Sequence, residues 1–458
     1  MRKLRLISTF AWPLAFAAPA VAHTSERGQI MLLPTGLYML GGALTVAASV
    51  LLVAMLPALS PLRALGMAFE LFRLTPLRRA LPSLLVLAAI VILAAAGIWG
   101  PFDPIANPLP AAVWSLWWTA LSAASIIFGN LWAVLNPWWG LHGLAGVKPR
   151  FHLPAALGQW PAVALFFGFT WFELIDPAPS DPGRLAVLVI TYLVFYFAGM
   201  FLVGDAWLKS VECFSVYFRL IGKLSPLQWA ERDGRLNLTI VMPGAALLEA
   251  ESTASGMAAF VLLALSSVSF DGFMRTFFWA GKIGVNPLEF PGRSAVMLAN
   301  TLGLAGMFLA LSAAFTLATF FGRVLAGGVP VPRLIFAIMP IACAYHLAHY
   351  LPGLPVSLMQ LAKSLSDPFG MGANLFGTAG LEPPSSIMMD HHNAALVYRA
   401  QVMVIVLGHV MAVAVADVMA LRSHATARLA IISQIPLNIL MVLYTIFGLW
   451  LLSTPVIG

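Results

Sequence analysis

Apolar runs of about 20 residues, each long enough to cross a bilayer as a helix, recur along the chain between shorter polar stretches. Ten of them occupy roughly 31–58, 81–99, 111–134, 157–175, 185–204, 250–270, 296–320, 334–361, 396–421 and 429–453. This pattern predicts an all-α, polytopic transmembrane bundle. Ahead of it, MRKLR precedes a short apolar stretch that closes on Ala20-Val21-Ala22. A basic start, an apolar centre and a small-x-small end predict a removable signal peptide over 1–22. The remainder, 23–458, reads as one membrane domain without an internal repeat. His23 would then be the mature terminus, where amine and imidazole together suit a copper ion.

Export would place the mature N-terminus outside, and the even number of spans would place the C-terminus there too. The distribution of basic residues fits: 15 of the 25 Lys and Arg fall in the predicted inner loops, and seven fall in outer segments. That bias obeys the positive-inside rule and predicts a bacterial inner membrane with both mature ends periplasmic. The long inner loop 205–249 mixes aromatic and basic residues at helical spacing, which predicts an amphipathic helix lying on the membrane. The long outer loop 362–395, rich in Gly, Pro, Ser and Asp, is a candidate functional loop.

Composition narrows the reading further. Hydrophobic residues make up 60% of the chain and charged residues 9%, against roughly 25% charged in soluble domains. An ordinary soluble enzyme and a disordered chain are both excluded. Two cysteines exclude a disulfide scaffold. The formal charge of +7 reflects basic loops, with no arginine-rich tract for nucleic acid. The implied partners are the lipid bilayer and an apolar small molecule, with other membrane proteins left open. No Walker A loop, HExxH, GxSxG elbow or CxxCH haem motif is present.

Ionisable groups inside spans are costly and generally functional. His346 and His349, in AYHLAHYLP beside Tyr345, are spaced to share one helix face. His409 sits mid-span beside Gly408, which permits close helix approach. Gln401 and Asp417 lie eight residues to either side of it and extend a polar stripe into the bundle. Asp390, His391 and His392, preceded by Met388 and Met389, end the loop between the two spans. Consecutive elements usually pack together. The expectation is therefore a pocket of His346, His349 and His409 with Asp390, His391 or His392 descending over it, suited to zinc or copper. Asp390 or Asp417 would be the general base. Glu173, Asp271 and Glu289 are supporting candidates, with ion pairs of Asp271 and Glu289 to Arg275 and Arg293 as the simpler role.

Several stretches carry a resemblance. WFELIDPAPSDPGRLA (171–186), GDAWLKSVECFSVYFRLIGKLSP (204–226), SFDGFMRTFFW with NPLEFPGRSAV (269–296), HLAHYLP (346–352), SDPFGMGANLFGTA (366–379) and SQIPLNILMVLYTIFGLWLL (433–452) together resemble a family of bacterial polytopic membrane proteins commonly labelled fenitrothion hydrolase. The resemblance covers most of the chain after about residue 170. It implies hydrolysis of an apolar organophosphorus triester, for which a metal ion would activate water. Residue chemistry alone leaves two other roles open: metal handling, with copper favoured by His23 and the Met-Met-Asp-His-His run, or non-catalytic assembly with another membrane complex.

Overall fold

The computed structural model describes residues 35–55, 69–232, 235–250, 255–286, 292–331, 333–384 and 390–454. Helix α1 (Thr35–Met55) is followed by strand β1 (Phe69–Leu74) and α2 (Pro76–Trp99). The next crossing is composite: α3 (Pro108–Ala111), a π-helix over Ala112–Ala120, and α4 (Leu121–Phe128). Short helices α5 (Trp132–Leu135) and α6 (Pro137–Ala145) lead to α7 (Trp160–Leu174) and α8 (Pro182–Val203). Then come α9 (Asp205–Ser210), α10 (Cys213–Ile221), β2 (Leu227–Arg232), β3 (Arg235–Ile240) and α11 (Ala245–Leu248). The second half holds α12 (Met257–Met274), α13 (Phe277–Lys282), α14 (Arg293–Leu325), α15 (Met339–Tyr350), α16 (Leu354–Ser366), α17 (His391–Ser423) and α18 (Ala427–Ser453).

Eight helices among the described residues are long and apolar enough to cross a membrane. A ninth crossing is the bent pair of 334–350 and α16, which meet at 64°. Helix α1 supplies the remaining predicted run with a shorter apolar core. The bend has a local cause: Pro352, Gly353 and Pro355 crowd the junction, and proline removes a helical donor and clashes with the preceding turn. Helix α12 is the most buried of the crossings, whereas α2 and α14 expose many large apolar side chains, as lipid-facing helices do. Helices α15 and α17 pack directly on one another, as do α17 and α18.

Two features of the predicted inner loop differ from expectation. Helix α10 is amphipathic, yet it is inserted in the bundle rather than laid on its surface. Seven of its residues, Cys213, Phe214, Val216, Tyr217, Phe218, Leu220 and Ile221, are buried. Glu212 secures its start. The carboxylate accepts hydrogen bonds from the Trp132 indole (3.2 Å), the Phe214 amide (3.0 Å), the Ser215 amide (2.5 Å) and the Tyr192 hydroxyl. The second feature is a three-stranded antiparallel sheet of order β1-β3-β2, whose first strand comes from before α2. Gly129, at φ +84°, lets the end of α4 approach the Leu227 carbonyl, where a Cβ would stand 2.1 Å away. This sheet marks one end of the bundle; the junction of α15 and α16 marks the other, called here the Tyr350 end.

The predicted signal peptide, His23, Met388, Met389 and Glu289 lie outside the described residues, as does the side chain of His391.

Candidate functional site

At the Tyr350 end, helices α7, α12 and α15 converge and bring charged side chains together inside an apolar bundle. Asp271, 1% exposed, is held from two sides. Arg275, one turn further along α12, approaches Asp271 Oδ1 with Nη2 at 2.8 Å and Nε at 2.9 Å. His349 Nε2 lies 2.6 Å from Asp271 Oδ2. The neighbouring Tyr350 hydroxyl donates to Glu173 Oε1 at 2.8 Å and stands 3.3 Å from Asp271 Oδ2. Two carboxylates from separate crossings are thus joined through one phenol. Arg293 donates to the Glu173 and Asp176 carbonyls, both at 3.2 Å, and so satisfies the C-terminal turn of α7. Asp176 in turn pairs with Arg184 at 2.7 Å.

His346 lies one turn from Tyr350 and is 4% exposed. Its ring meets Trp118 edge-on at 4.8 Å and Tyr350 at 4.9 Å, and its Nε2 has no protein partner. Beside it is a cavity lined by Trp118, Glu173, Tyr217, Cys343, His346 and Tyr350, among others. It offers ≈ 20 Å³ for the centres of water-sized molecules, room for one or two waters. A carboxylate, a phenol and an imidazole therefore face a space that water fits. The π-helix sets one wall: its i→i+5 winding carries Trp118 to the cavity, and such wider turns recur at functional sites.

His409 is elsewhere. Its Nδ1 bonds the Ile405 carbonyl at 2.8 Å, and its ring centre lies 6.1 Å from that of Tyr444 on α18. Tyr345 shares that neighbour, at 5.8 Å. Successive residues on a helix diverge by about 100°. Tyr345 therefore faces α18 with His409, while His346 turns about 100° away to Trp118 and His349, one turn beyond Tyr345, reaches Asp271 on α12. The expected triad of His346, His349 and His409 around one ion is not formed. Among the described residues, no group of three or more His, Cys, Asp or Glu side chains is placed to hold a metal. Among the described residues, His346, His349 and His409 are not arranged to hold one ion together.

Other expectations separate in the same way. Asp390 caps α17, accepting from the Asn393 amide at 2.9 Å, and is exposed, as is His392. A straight helix places His392 about 26 Å from His409 at 1.5 Å per residue, so neither residue descends over a central pocket. Asp417 is about 12 Å from His409 toward the sheet end by the same rise, too far to act as base at Asp271. The polar stripe also spirals, because a step of eight residues turns a helix by about 80° beyond two full turns. Gln401 faces α15 and donates to the Ala348 carbonyl at 2.7 Å. Gly408 does allow the close approach expected of it: a Cβ there would stand 2.4 Å from the Ala344 Cβ.

The structure thus unites Glu173, Asp271 and His349 with His346 close by, and promotes the first two from supporting to central places. Sequence reasoning underrated Tyr350 and missed Trp118 and Tyr217. Tyr350 was legible as the neighbour of His349 four residues after His346; the two others depend on a π-helix and on the insertion of α10 into the bundle, which hydropathy does not reveal. Comparison with protein-family models, characterised proteins and solved structures found no match to this chain.

Proposed function

We propose that the Glu173–Tyr350–Asp271–His349 cluster is an acid–base centre that activates water within a membrane-embedded hydrolase, acting on an apolar organophosphorus triester. The supporting observation is the water-sized cavity faced by a half-buried carboxylate, a phenol and an imidazole. Glu173, whose hydrogen-bond donor here is Tyr350, takes a proton as the water oxygen attacks phosphorus. The P–O bond to the aryl group breaks and the phenolate leaves. Tyr350 donates its hydroxyl hydrogen bond to Glu173 and stands beside Asp271, which Arg275 and His349 flank. General acid–base assistance of this kind contributes about 10²–10⁴ in rate. The substrate class comes from the family resemblance, and its apolar character suits entry from the bilayer. The cavity admits only water in this state, so binding the ester requires the helices that line it, α7, α10, α12, α15 and the π-helix, to separate.

The test is nitrophenol release from fenitrothion by the full chain in lipid nanodiscs. Turnover that falls by about 10²-fold or more in Glu173→Gln, with an unchanged melting temperature, supports the reading. A folded wild type without turnover, or a fully active Glu173→Gln, overturns it.

A further inference from the structure

A second buried polar centre lies one turn along α15 from the first, and hydrolysis makes no use of it. Four helices contribute: Ser269 from α12, Tyr345 from α15, His409 from α17 and Tyr444 from α18. The Tyr444 and Ser269 hydroxyls are hydrogen-bonded at 2.5 Å. The His409 ring is fully buried. Only a protonated Nδ1 can bond the Ile405 carbonyl, so in the neutral ring Nε2 is a bare acceptor. That Nε2 and the Tyr345 hydroxyl both lack protein partners. An unmet polar atom in an apolar interior costs free energy and calls for a water or ion beside it. An interhelical hydrogen bond, the simpler role for a membrane histidine, is not what Nε2 makes.

The same condition recurs along the hairpin of α17 and α18. Asp417 is buried about 12 Å toward the sheet end. The register that sets Tyr444 beside His409 brings the segment 433–438 level with it, where Gln434 Oε1 and Asn438 Oδ1 are also buried without partners. In the other direction, Gln401 lies about 12 Å from His409 and bonds the Ala348 carbonyl, one peptide from His349. His349 reaches Asp271. The series covers about 24 Å of a hydrocarbon layer about 30 Å thick.

We infer that Asp417, His409 and the Tyr345–Tyr444 pair form a proton path from the sheet end of the bundle to the Asp271–His349–Tyr350 centre. The Asp417 carboxylate takes a proton from water at the sheet end and passes it through intervening water to Nε2 of His409. The imidazolium releases that proton from the same nitrogen, by way of water and the tyrosine hydroxyls, toward His349. One proton enters and one leaves, and no bond between heavy atoms changes. Gln401 carries no proton and ties the two helices where the path meets α15.

The path is tested without any ester, so its failure is separable from failure of the hydrolase reading. The full chain is reconstituted in phosphatidylcholine–phosphatidylglycerol vesicles with a trapped pH dye, and an imposed pH gradient is followed with potassium and valinomycin clamping the potential. Wild-type vesicles should dissipate the gradient faster than protein-free ones, and His409→Gln and Asp417→Asn should each slow the protein-dependent rate by about 10²-fold. Thr191→Val, on the exposed face of α8, should leave it unchanged. Wild-type vesicles no faster than protein-free ones, or wild-type rates in both variants, overturn the path. Should His409→Gln fail to fold, Asp417→Asn decides alone.

Discussion

Two polar centres sit one helical turn apart on α15 and solve the same problem in opposite ways. At His349 and Tyr350, charge is brought into the bundle and matched: Asp271 touches Arg275, His349 and Tyr350. At Tyr345 and His409, no formal charge is required, yet the polar atoms are left without protein partners. The difference separates rigid electrostatics from exchangeable solvation. A matched ion cluster fixes helices in place, because removing one member strands another in low dielectric. The unmatched Tyr345 hydroxyl and the bare His409 nitrogen hold nothing fixed and depend on what small molecule occupies the gap.

The largest test of that contrast is stability. Asp271→Ala strips Arg275 and His349 of their common partner. The cost should reach the lower part of about 3–5 kcal/mol, since Arg275 is half exposed. Tyr345→Phe removes a hydroxyl with no partner and should be neutral within about 1 kcal/mol or slightly stabilising. Unfolding in detergent measures both, and equal losses would erase the distinction. Next comes Glu212→Ala, which leaves four donors around an empty space and should cost about 3 kcal/mol or more. Loss of the ordered α10, followed by proteolysis at 205–222, is its structural signature.

Chelator treatment sharpens the comparison from the chemical side. If turnover runs through Glu173 and water, dialysis against a chelator leaves it unchanged. Activity that disappears and returns with zinc or copper would instead restore a metal to the matched centre. The smallest expected effect is pH-dependent. Burial raises the Glu212 carboxyl above its ordinary value, against the opposing hydrogen bonds from Ser215, Tyr192, Trp132 and Phe214. A raised folded-state value means that this group's stabilisation is complete below the unfolded carboxyl's pKa and fades as pH climbs through the folded one. The melting temperature of wild type relative to Glu212→Gln should therefore fall as pH rises over that interval; an upward trend would reverse the sign.

Much of the bundle was legible because hydropathy reads length and period, and lipid enforces both. Nine of the ten apolar runs coincide with the eight crossing helices and the bent pair among the described residues, and the first covers the shorter α1; the adjacency of α15 and α17 follows from connection order and Gly408. What escaped was the rotation of each helix about its own axis. His346 and His409 are each intramembrane histidines on packed neighbours, but 409 faces Tyr444 and 346 faces Trp118, and no spacing rule fixes that angle. The amphipathic pattern of α10 was visible, whereas its destination was not: a stripe of Phe, Tyr and Val satisfies a lipid surface and a protein groove equally. Strand β1 pairs with a partner more than 160 residues away, and local pattern carries no information at that range.

The π-helix at Ala112–Ala120 has a consequence for how this chain tolerates change. It contains more residues per turn than the α-helices flanking it. Removal of a single codon there would let the segment rewind as an ordinary α-helix and rotate the side chains within it about the helix axis. The crossing would remain as apolar as before and would insert as readily. Trp118, however, would leave the His346 ring. Such a deletion would be silent to the translocation machinery and ruinous to the chemistry, so the helical register of this one span is itself a component of the site.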